Sequence, residues 1–146
     1  MIGVGSLYRG DDGAGPEVAR ILRNVVPASV DVVESDGEAA AIVNAWEGAD
    51  LAIIIDVLPS SSLPAGQVDR IEVGDATRFT SCAPSSTHAL GPEDAVALGR
   101  AVGQLPRRLI VYAIGATTFD LGLGLSPEVE AATQRLATEI LAEVRV

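Results

Sequence analysis

The chain contains 146 residues, of which 48% are hydrophobic and 21% are charged, so one compact domain over residues 1–146 is expected. Acidic side chains outnumber basic ones by 20 to 10, and a net charge of −10 disfavours nucleic acid and membranes as partners. The sequence has no lysine, which excludes Schiff-base and P-loop chemistry. A single cysteine and an N-terminus without a secretory signal pattern predict a cytoplasmic location.

The first half of the chain alternates short β-branched segments with segments of helical periodicity, as in parallel sheets covered by helices. We predict strands over residues 1–5, 30–34 and 51–56, a glycine-rich loop over 6–15, and helices over 16–27 and 38–47. The third strand, LAIIID, is apolar without interruption, which indicates burial on both faces and a central place in the sheet.

The second half of the chain departs from this alternation once. The segment QVDRIEV, residues 67–73, follows the third strand too closely for a crossover helix, so we expect an antiparallel or edge strand. Further elements should be a helix from Pro92 with Glu93 and Asp94 in its first turn, a fifth strand from Arg108 and a last helix after the N-cap Ser126. The predicted fold is therefore α/β: one three-layer α/β/α domain with a twisted, mostly parallel five-stranded sheet.

Polar residues fall at three places where ligands bind in open α/β sheets, beyond the carboxyl ends of the strands. Asp11 and Asp12 lie in the glycine-rich loop, Asp56 ends the most apolar strand, and His88 lies in the loop before the Pro92 helix. Each place has an ordinary alternative. One aspartate of the pair could cap the helix, Asp56 could close an Asx turn, and His88 could be a plain surface residue.

Together, Asp12, Asp56 and His88 would offer two oxygen ligands and one nitrogen ligand, a set suited to a divalent metal such as zinc or nickel. A site with one histidine is weak by itself, so we expect a partner or substrate to complete it. Two other kinds of site are disfavoured. Cys82 could be a nucleophile with His88 as its base, but a single cysteine is more often an inert thiol. A dinucleotide-binding loop would need glycine at the position of Tyr8.

Six segments, spread along nearly the whole chain, follow the order of the motifs of one enzyme family. GVGSLYRGDDGAGPEVA resembles that family's opening glycine-rich motif, LAIIIDV its central strand with aspartate, and SSTHALG its histidine segment. SDGEAA, PAGQVDRI and IGATTFDLGLGLSPEVEAA are weaker matches. The chain thus resembles the hydrogenase maturation proteases, endopeptidases that trim the C-terminal tail of the nickel-iron hydrogenase large subunit. Ser6 replaces an asparagine common in the family, and we expect it still to donate a hydrogen bond.

The resemblance implies two sets of site residues. The catalytic and nickel-contacting set is Asp12, Asp56 and His88. The substrate-binding set is Gly10, Asp11, Asp36 and Ser86. Nickel would arrive already installed in the precursor of the hydrogenase large subunit, and neither a nucleotide nor a flavin is implied. Cleavage could use a nickel-polarised water or carbonyl, or a carboxylate as general base, so aspartic-type and metal-assisted peptidases both stay open.

The resemblance therefore predicts a cytoplasmic, monomeric endopeptidase that acts on a nickel-loaded hydrogenase precursor and removes its tail. A function of a different class is a catalytically silent metal-checkpoint protein, which would hold a nickel-loaded partner without cleaving it. Measuring the precursor by mass spectrometry discriminates between these two functions, because only the endopeptidase shortens it.

Overall fold

The structure is a computed structural model that describes residues 1–73 and 91–145. The strands in these ranges are β1 (Ile2–Val4), β2 (Val33–Ser35), β3 (Leu51–Pro59), β4 (Val68–Val73) and β5 (Arg108–Ala116). The helices are α1 (Ala14–Leu22), α2 (Ala39–Trp46), α3 (Pro92–Ala101) and α4 (Pro127–Val144), and a 3₁₀ turn, Gly10–Gly13, leads into α1. The strands form one sheet in the order β2-β1-β3-β5-β4.

The pairing of the strands confirms two predictions about the sheet. β3 lies in its middle and pairs in parallel with β1 on one side and with β5 on the other. β4 pairs antiparallel with β5 at one edge, with Val68 opposite Ile114 and Val73 opposite Leu109. The connection from β3 to β4 is a turn closed by the Ser62 N–H, which donates to the Pro59 carbonyl at 2.8 Å. A connection this short forces the antiparallel direction.

Both faces of the sheet are covered, each by two helices. Ile53, Ile55 and Val57 of β3 belong to the apolar cluster that includes α1 and α4. Ala52 and Ile54, which alternate with them along the strand, belong to the cluster that includes α2 and α3. Because successive side chains of a strand point to opposite faces, a strand covered on both faces must be apolar throughout. The α/β/α arrangement predicted from this strand is confirmed.

The first helix differs from its predicted bounds at both ends. The 3₁₀ turn and the first residues of α1 occupy much of the predicted loop over residues 6–15. The helix ends at Leu22 rather than near Pro27, and in the turn that follows the Val25 N–H donates to the Leu22 carbonyl, three residues back, at 3.0 Å. Val25 is consequently 43% exposed and takes no part in the core.

The second strand begins later than predicted because its neighbour β1 has only three residues. Pairing starts where Ile2 lies opposite Val33, and residues 30–32 of the predicted strand precede it. The N-terminal amino group of Met1 donates to the Asp31 carbonyl at 2.7 Å, which fastens the start of β1 to this segment. The extent of β2 is therefore set by its partner rather than by its own β-branched residues.

Helix α4 begins as predicted after the N-cap residue Ser126, with proline at its first position. Its buried side includes Val129, Leu136 and Ile140, which pack against the sheet, and polar residues occupy its other side. It has 18 residues. Within residues 1–73 and 91–145, neither this helix nor another is both long and apolar enough to cross a bilayer.

Candidate active site

The strand register brings Asp56 beside the loop that carries Asp12. β1 pairs with β3 through Gly3 opposite Ile55, and the β1 ladder stops there. Asp56 is the next residue of β3, so it lies where β1 leaves the sheet. On the other side of β3, Asp56 continues the ladder opposite Ala113 and the strand runs on to Pro59. Asp56 therefore does not end its strand, as the sequence suggested, but lies at the point where one of its two neighbours ends.

Asp12 is held by the backbone of the glycine-rich loop. Its Oδ2 atom accepts a hydrogen bond from the Ser6 backbone N–H at 2.9 Å, while donation by the Ser6 side chain stays a prediction. The Ser6 hydroxyl accepts from the Tyr8 N–H at 3.3 Å. At Gly5, whose φ is +137°, a Cβ would collide with the Asp12 carbonyl oxygen. This close approach requires glycine and fixes the turn that presents the Asp12 carboxylate.

Asp56 has a strongly perturbed carboxyl group. Desolvation by burial raises the pKa of Asp56 to about 7, and repulsion from Asp12 and Glu93 adds to this rise. The Val57 N–H, which donates to Asp56 Oδ1 at 2.8 Å, opposes the rise without cancelling it. The structure thus places the predicted pair Asp12 and Asp56 close enough for their charges to interact. A carboxyl group with a pKa near 7 can both release and accept a proton at neutral pH.

Glu93 belongs to the site as well, although it was not among the site residues expected from the sequence. It lies half-buried in the first turn of α3, and its charge contributes to the raised pKa of Asp56. In the sequence this glutamate is an ordinary acidic residue at a helix N-terminus, where its charge interacts favourably with the helix dipole. The available signal was its position, five residues after His88, in the helix that leads away from the histidine loop.

Asp11 differs sharply from its neighbour Asp12, because it is completely buried. Its carboxylate accepts hydrogen bonds from the N–H and hydroxyl of Thr117, from the Thr118 N–H, and from the N–H and hydroxyl of Ser126. Burial alone would raise the pKa of Asp11, but these hydrogen bonds outweigh it and hold the pKa below its usual value. Asp11 thereby joins the loop after β5 and the start of α4 to the turn that bears Asp12.

The remaining predicted substrate-binding residues have different positions. Gly10 is buried with φ +58°, and a Cβ there would lie 2.9 Å from both the carbonyl oxygen and the hydroxyl of Thr118. Asp36 is exposed, and its Oδ1 accepts from the Glu38 N–H at 3.1 Å. Ser86 lies outside the described residues. For these three residues and for Asp11, contact with a substrate stays a prediction.

The third predicted ligand, His88, lies outside the described residues, as does Cys82. Among residues 1–73 and 91–145, no three histidine, cysteine or acidic side chains form a group that could hold a metal ion. What the described part supplies is a pair of mutually repelling carboxylates, Asp12 and Asp56. Their oxygens suit a divalent cation, and a cation would relieve their repulsion, which adds to the effect of burial on the pKa of Asp56.

The fold and the site together define an α/β protein with an acidic site beside the carboxyl end of the parallel strand β1, a usual position of function in such sheets. Residues 17–143 match a family model described as hydrogenase maturation protease. The chain belongs to the hydrogenase maturation protease family. The matched range contains Asp56 and begins after Asp12.

Two curated proteins are similar to most of the chain, and one of them to nearly all of it. The Hydrogenase 2 maturation protease of Escherichia coli (strain K12) is 24% identical over 148 residues, which cover 99% of this chain and 89% of that protein. The hydrogenase expression/formation protein HupD of Thiocapsa roseopersicina is 24% identical over 133 residues, which cover 89% of this chain. The matched part spans 60% of the length of HupD.

Solved structures show the same fold. The hydrogenase maturating endopeptidase HybD from E. coli is 25% identical, with a TM-score of 0.77 over 99% of this chain and 90% of that one. The [NiFe] hydrogenase maturation protease HybD from Thermococcus kodakarensis is 24% identical, with a TM-score of 0.70 over 98% of this chain and 96% of that one. The mostly parallel sheet with its antiparallel strand therefore agrees with solved structures.

Proposed function

We propose that the chain is a cytoplasmic endopeptidase that removes the C-terminal tail from a nickel-loaded precursor of a nickel-iron hydrogenase large subunit. Membership of the hydrogenase maturation protease family supports both the peptidase activity and the hydrogenase partner. Nickel belongs to the precursor in this proposal and is the element that the enzyme recognises. The observation that carries the proposal is the pair Asp12 and Asp56, which repel each other where β1 leaves the sheet.

The carboxylate pair explains why the metal should come with the substrate. Two carboxylates, with His88 as the proposed third ligand, leave a first-row divalent metal short of ligands. Thiolates that already hold nickel in the precursor would supply the rest. Binding of the loaded precursor would also remove the repulsion between Asp12 and Asp56, so a metal-free precursor gains less from the same contact. The enzyme would therefore discriminate the loaded from the unloaded precursor.

Two routes to cleavage fit the residues. In one, Asp56 is the general base that takes a proton from the attacking water, which suits its pKa of about 7. In the other, the precursor's nickel polarises the water or the scissile carbonyl, and Asp12, Asp56 and His88 orient the metal. Both routes require the Asp56 carboxylate, and the Val57 N–H holds that group in one orientation.

The proposal is tested by incubating the purified chain with a nickel-loaded large-subunit precursor and measuring the precursor by intact mass spectrometry. We expect a loss of mass equal to that of the C-terminal tail. Metal-free precursor should keep its full mass, and so should loaded precursor incubated with His88→Ala or Asp56→Asn. Normal processing by either variant would refute the assignment of the site.

The catalytically silent metal checkpoint gives a different result in the same experiment. It predicts a stable complex between the chain and the nickel-loaded precursor, with the precursor's mass unchanged. Size-exclusion chromatography of the same incubation separates a complex from free proteins. A complex without tail loss would therefore replace the peptidase by the binding function, while release of a shortened precursor excludes it.

A further inference from the structure

An apolar surface patch lies next to the glycine-rich loop. Large apolar side chains that are strongly exposed include Tyr8 at 69%, Leu121 at 86% and Leu123 at 77%. The three are neighbours because Gly122 pairs with this loop: its N–H donates to the Tyr8 carbonyl at 2.9 Å, and its carbonyl accepts from the Gly10 N–H at 3.0 Å. We call Tyr8, Leu121 and Leu123 the apolar patch. Exposed apolar residues clustered in this way mark binding surfaces.

The loop that carries the patch is anchored to the protein on both sides of its leucines. Before them, the Asp11 N–H donates to the Thr118 carbonyl at 2.8 Å. After them, the Ser126 N–H donates to the buried Asp11 carboxylate at 2.6 Å. These hydrogen bonds hold the loop that bears Leu121 and Leu123 in one conformation. A fixed surface lowers the entropy cost of binding a partner.

A groove of about 410 Å³ continues from the patch along α1 and α4. Leu123 is one of its lining residues, and Glu17 of α1 and Glu130 of α4 are others. Gly10 and Gly13 also line it, and they are the two ends of the turn that contains Asp12. The groove and the candidate active site therefore share this 3₁₀ turn as a common wall.

The charges of the groove favour a basic group. Within the described residues neither Glu17 nor Glu130 forms an ion pair, whereas the one arginine of the lining, Arg20, is paired with Glu34 at 3.4 Å. Arg9 is exposed next to Tyr8, so it lies at the apolar patch and not in the groove. The acidic side chains that have no ion pair in the described residues therefore belong to the groove. A second copy of this chain is a poor occupant, because each copy carries a net charge of −10.

We propose that the apolar patch and the groove together dock an extended segment of the precursor polypeptide, with apolar side chains on the patch and a basic side chain between Glu17 and Glu130. This inference rests on the proposed function, which supplies the precursor as partner. The contact lies outside the carboxylate pair and needs no metal. It holds the precursor against the wall of the active site whether or not nickel is present, and nickel then decides whether cleavage follows.

The proposed docking surface is tested by measuring how tightly the chain binds a precursor that contains no metal. The dissociation constant is measured by isothermal titration calorimetry between the chain and a metal-free large-subunit precursor, which the proposed function leaves uncut. Leu121→Ser/Leu123→Ser should raise the Kd about tenfold or more, as loss of interface anchors does. The matched control is Val25→Ser/Val102→Ser, at exposed positions outside the patch and groove, which should leave the Kd unchanged. Glu17→Gln/Glu130→Gln should raise the Kd and weaken its dependence on salt.

Outcomes for docking and for cleavage are separate. Equal Kd values for the leucine variant and its valine control would overturn the docking surface, and so would wild-type protein that does not bind the metal-free precursor. Either result leaves tail removal from the loaded precursor standing. Conversely, specific weakening by the leucine substitutions supports the surface even if loaded precursor is never cut, which would refute only the peptidase. A dimer of the chain that the leucine variant dissolves would assign the patch to self-association and overturn the proposal.

Discussion

Asp56 is held in an unfavourable state that its proposed function requires. Burial and the charges of Asp12 and Glu93 raise the pKa of Asp56 from its usual 3.8 to about 7. A carboxyl group whose pKa is raised on folding binds more protons when folded, so it lowers the stability of the fold as pH rises from about 4 to 7. Above that range the cost is fully present. Such a cost at a functional residue trades stability for activity.

Asp56→Asn should therefore stabilise the protein while abolishing tail removal. Asparagine keeps the Oδ1 acceptor for the Val57 N–H but carries no charge. The expected gain in unfolding free energy at pH 8 is roughly 2–4 kcal/mol, vanishing near pH 4, and the rate of processing should fall about 100-fold or more. Urea unfolding at both pH values and the mass assay measure these effects. Asp69→Asn, on the exposed edge strand, is the control, and a destabilised Asp56→Asn at pH 8 would contradict the argument.

Asp11 contributes to stability in the opposite direction. Its depressed pKa means that its hydrogen bonds stabilise the fold above the pKa of the unfolded chain, and that this stability is lost as pH falls through the lower folded value. Every described partner of its carboxylate is an N–H or hydroxyl donor. An amide at this position would turn its own NH₂ group toward those donors.

We expect Asp11→Asn to lower the unfolding free energy by roughly 2–4 kcal/mol at pH 7, because it leaves buried donors unsatisfied. Thr117→Val removes a single hydroxyl donor and should cost only about 1 kcal/mol. Both values come from urea unfolding at pH 7. Equal stability of the two variants would show that the carboxylate is not the centre of this network.

At the scale of elements, α1 depends on close contact with the sheet. A Cβ at Gly15 would lie 2.6 Å from the Ile55 carbonyl oxygen and 2.8 Å from the Val4 backbone nitrogen. Both contacts are with backbone, which cannot rotate away as a side chain can. Glycine at this position lets α1 approach β1 and β3 together, and so sets the position of the turn that bears Asp12.

Gly15→Ala should therefore destabilise the protein by about 2 kcal/mol or more, although alanine is the better helix former. The control is Gly91→Ala, at the N-cap of α3, where φ is −146° and a Cβ would meet no described residue within 4 Å. Thermal unfolding followed by circular dichroism compares the two. If Gly15→Ala melts no lower than the control, the helix has more room than the backbone distances allow.

The elements that the sequence predicted well are those defined by local patterns. The apolar run of β3, the alternation of β4 and the proline starts of α3 and α4 all appear at their predicted places. Prediction failed where distant residues decide. The length of β2 follows from β1, and Asp11 takes its partners from residues 106 to 115 positions away in sequence. The influence of Glu93 on Asp56 likewise exists only in the folded chain.

At the scale of the whole molecule, two electrostatic effects compete. In the described residues five ion pairs connect arginines with glutamates, and all have partly exposed side chains. Exposed pairs contribute about 0–1 kcal/mol each. Against them stands the net charge of −10, whose mutual repulsion is released when the chain unfolds and expands. Salt screens both the pairs and the repulsion, so its net effect shows which is larger.

We expect repulsion to dominate, because ten uncompensated charges on a 146-residue chain act together, whereas the pairs are few and solvated. At pH 8, raising sodium chloride from about 0.02 to 0.5 M should therefore increase the melting temperature by roughly 2–4 °C, equivalent to about 1 kcal/mol. Near the sequence pI of about 4.4 the net charge disappears, and with it the stabilisation by salt. Differential scanning calorimetry at the two pH values measures this. A melting temperature that falls with salt at pH 8 would mean that the surface ion pairs outweigh the net charge.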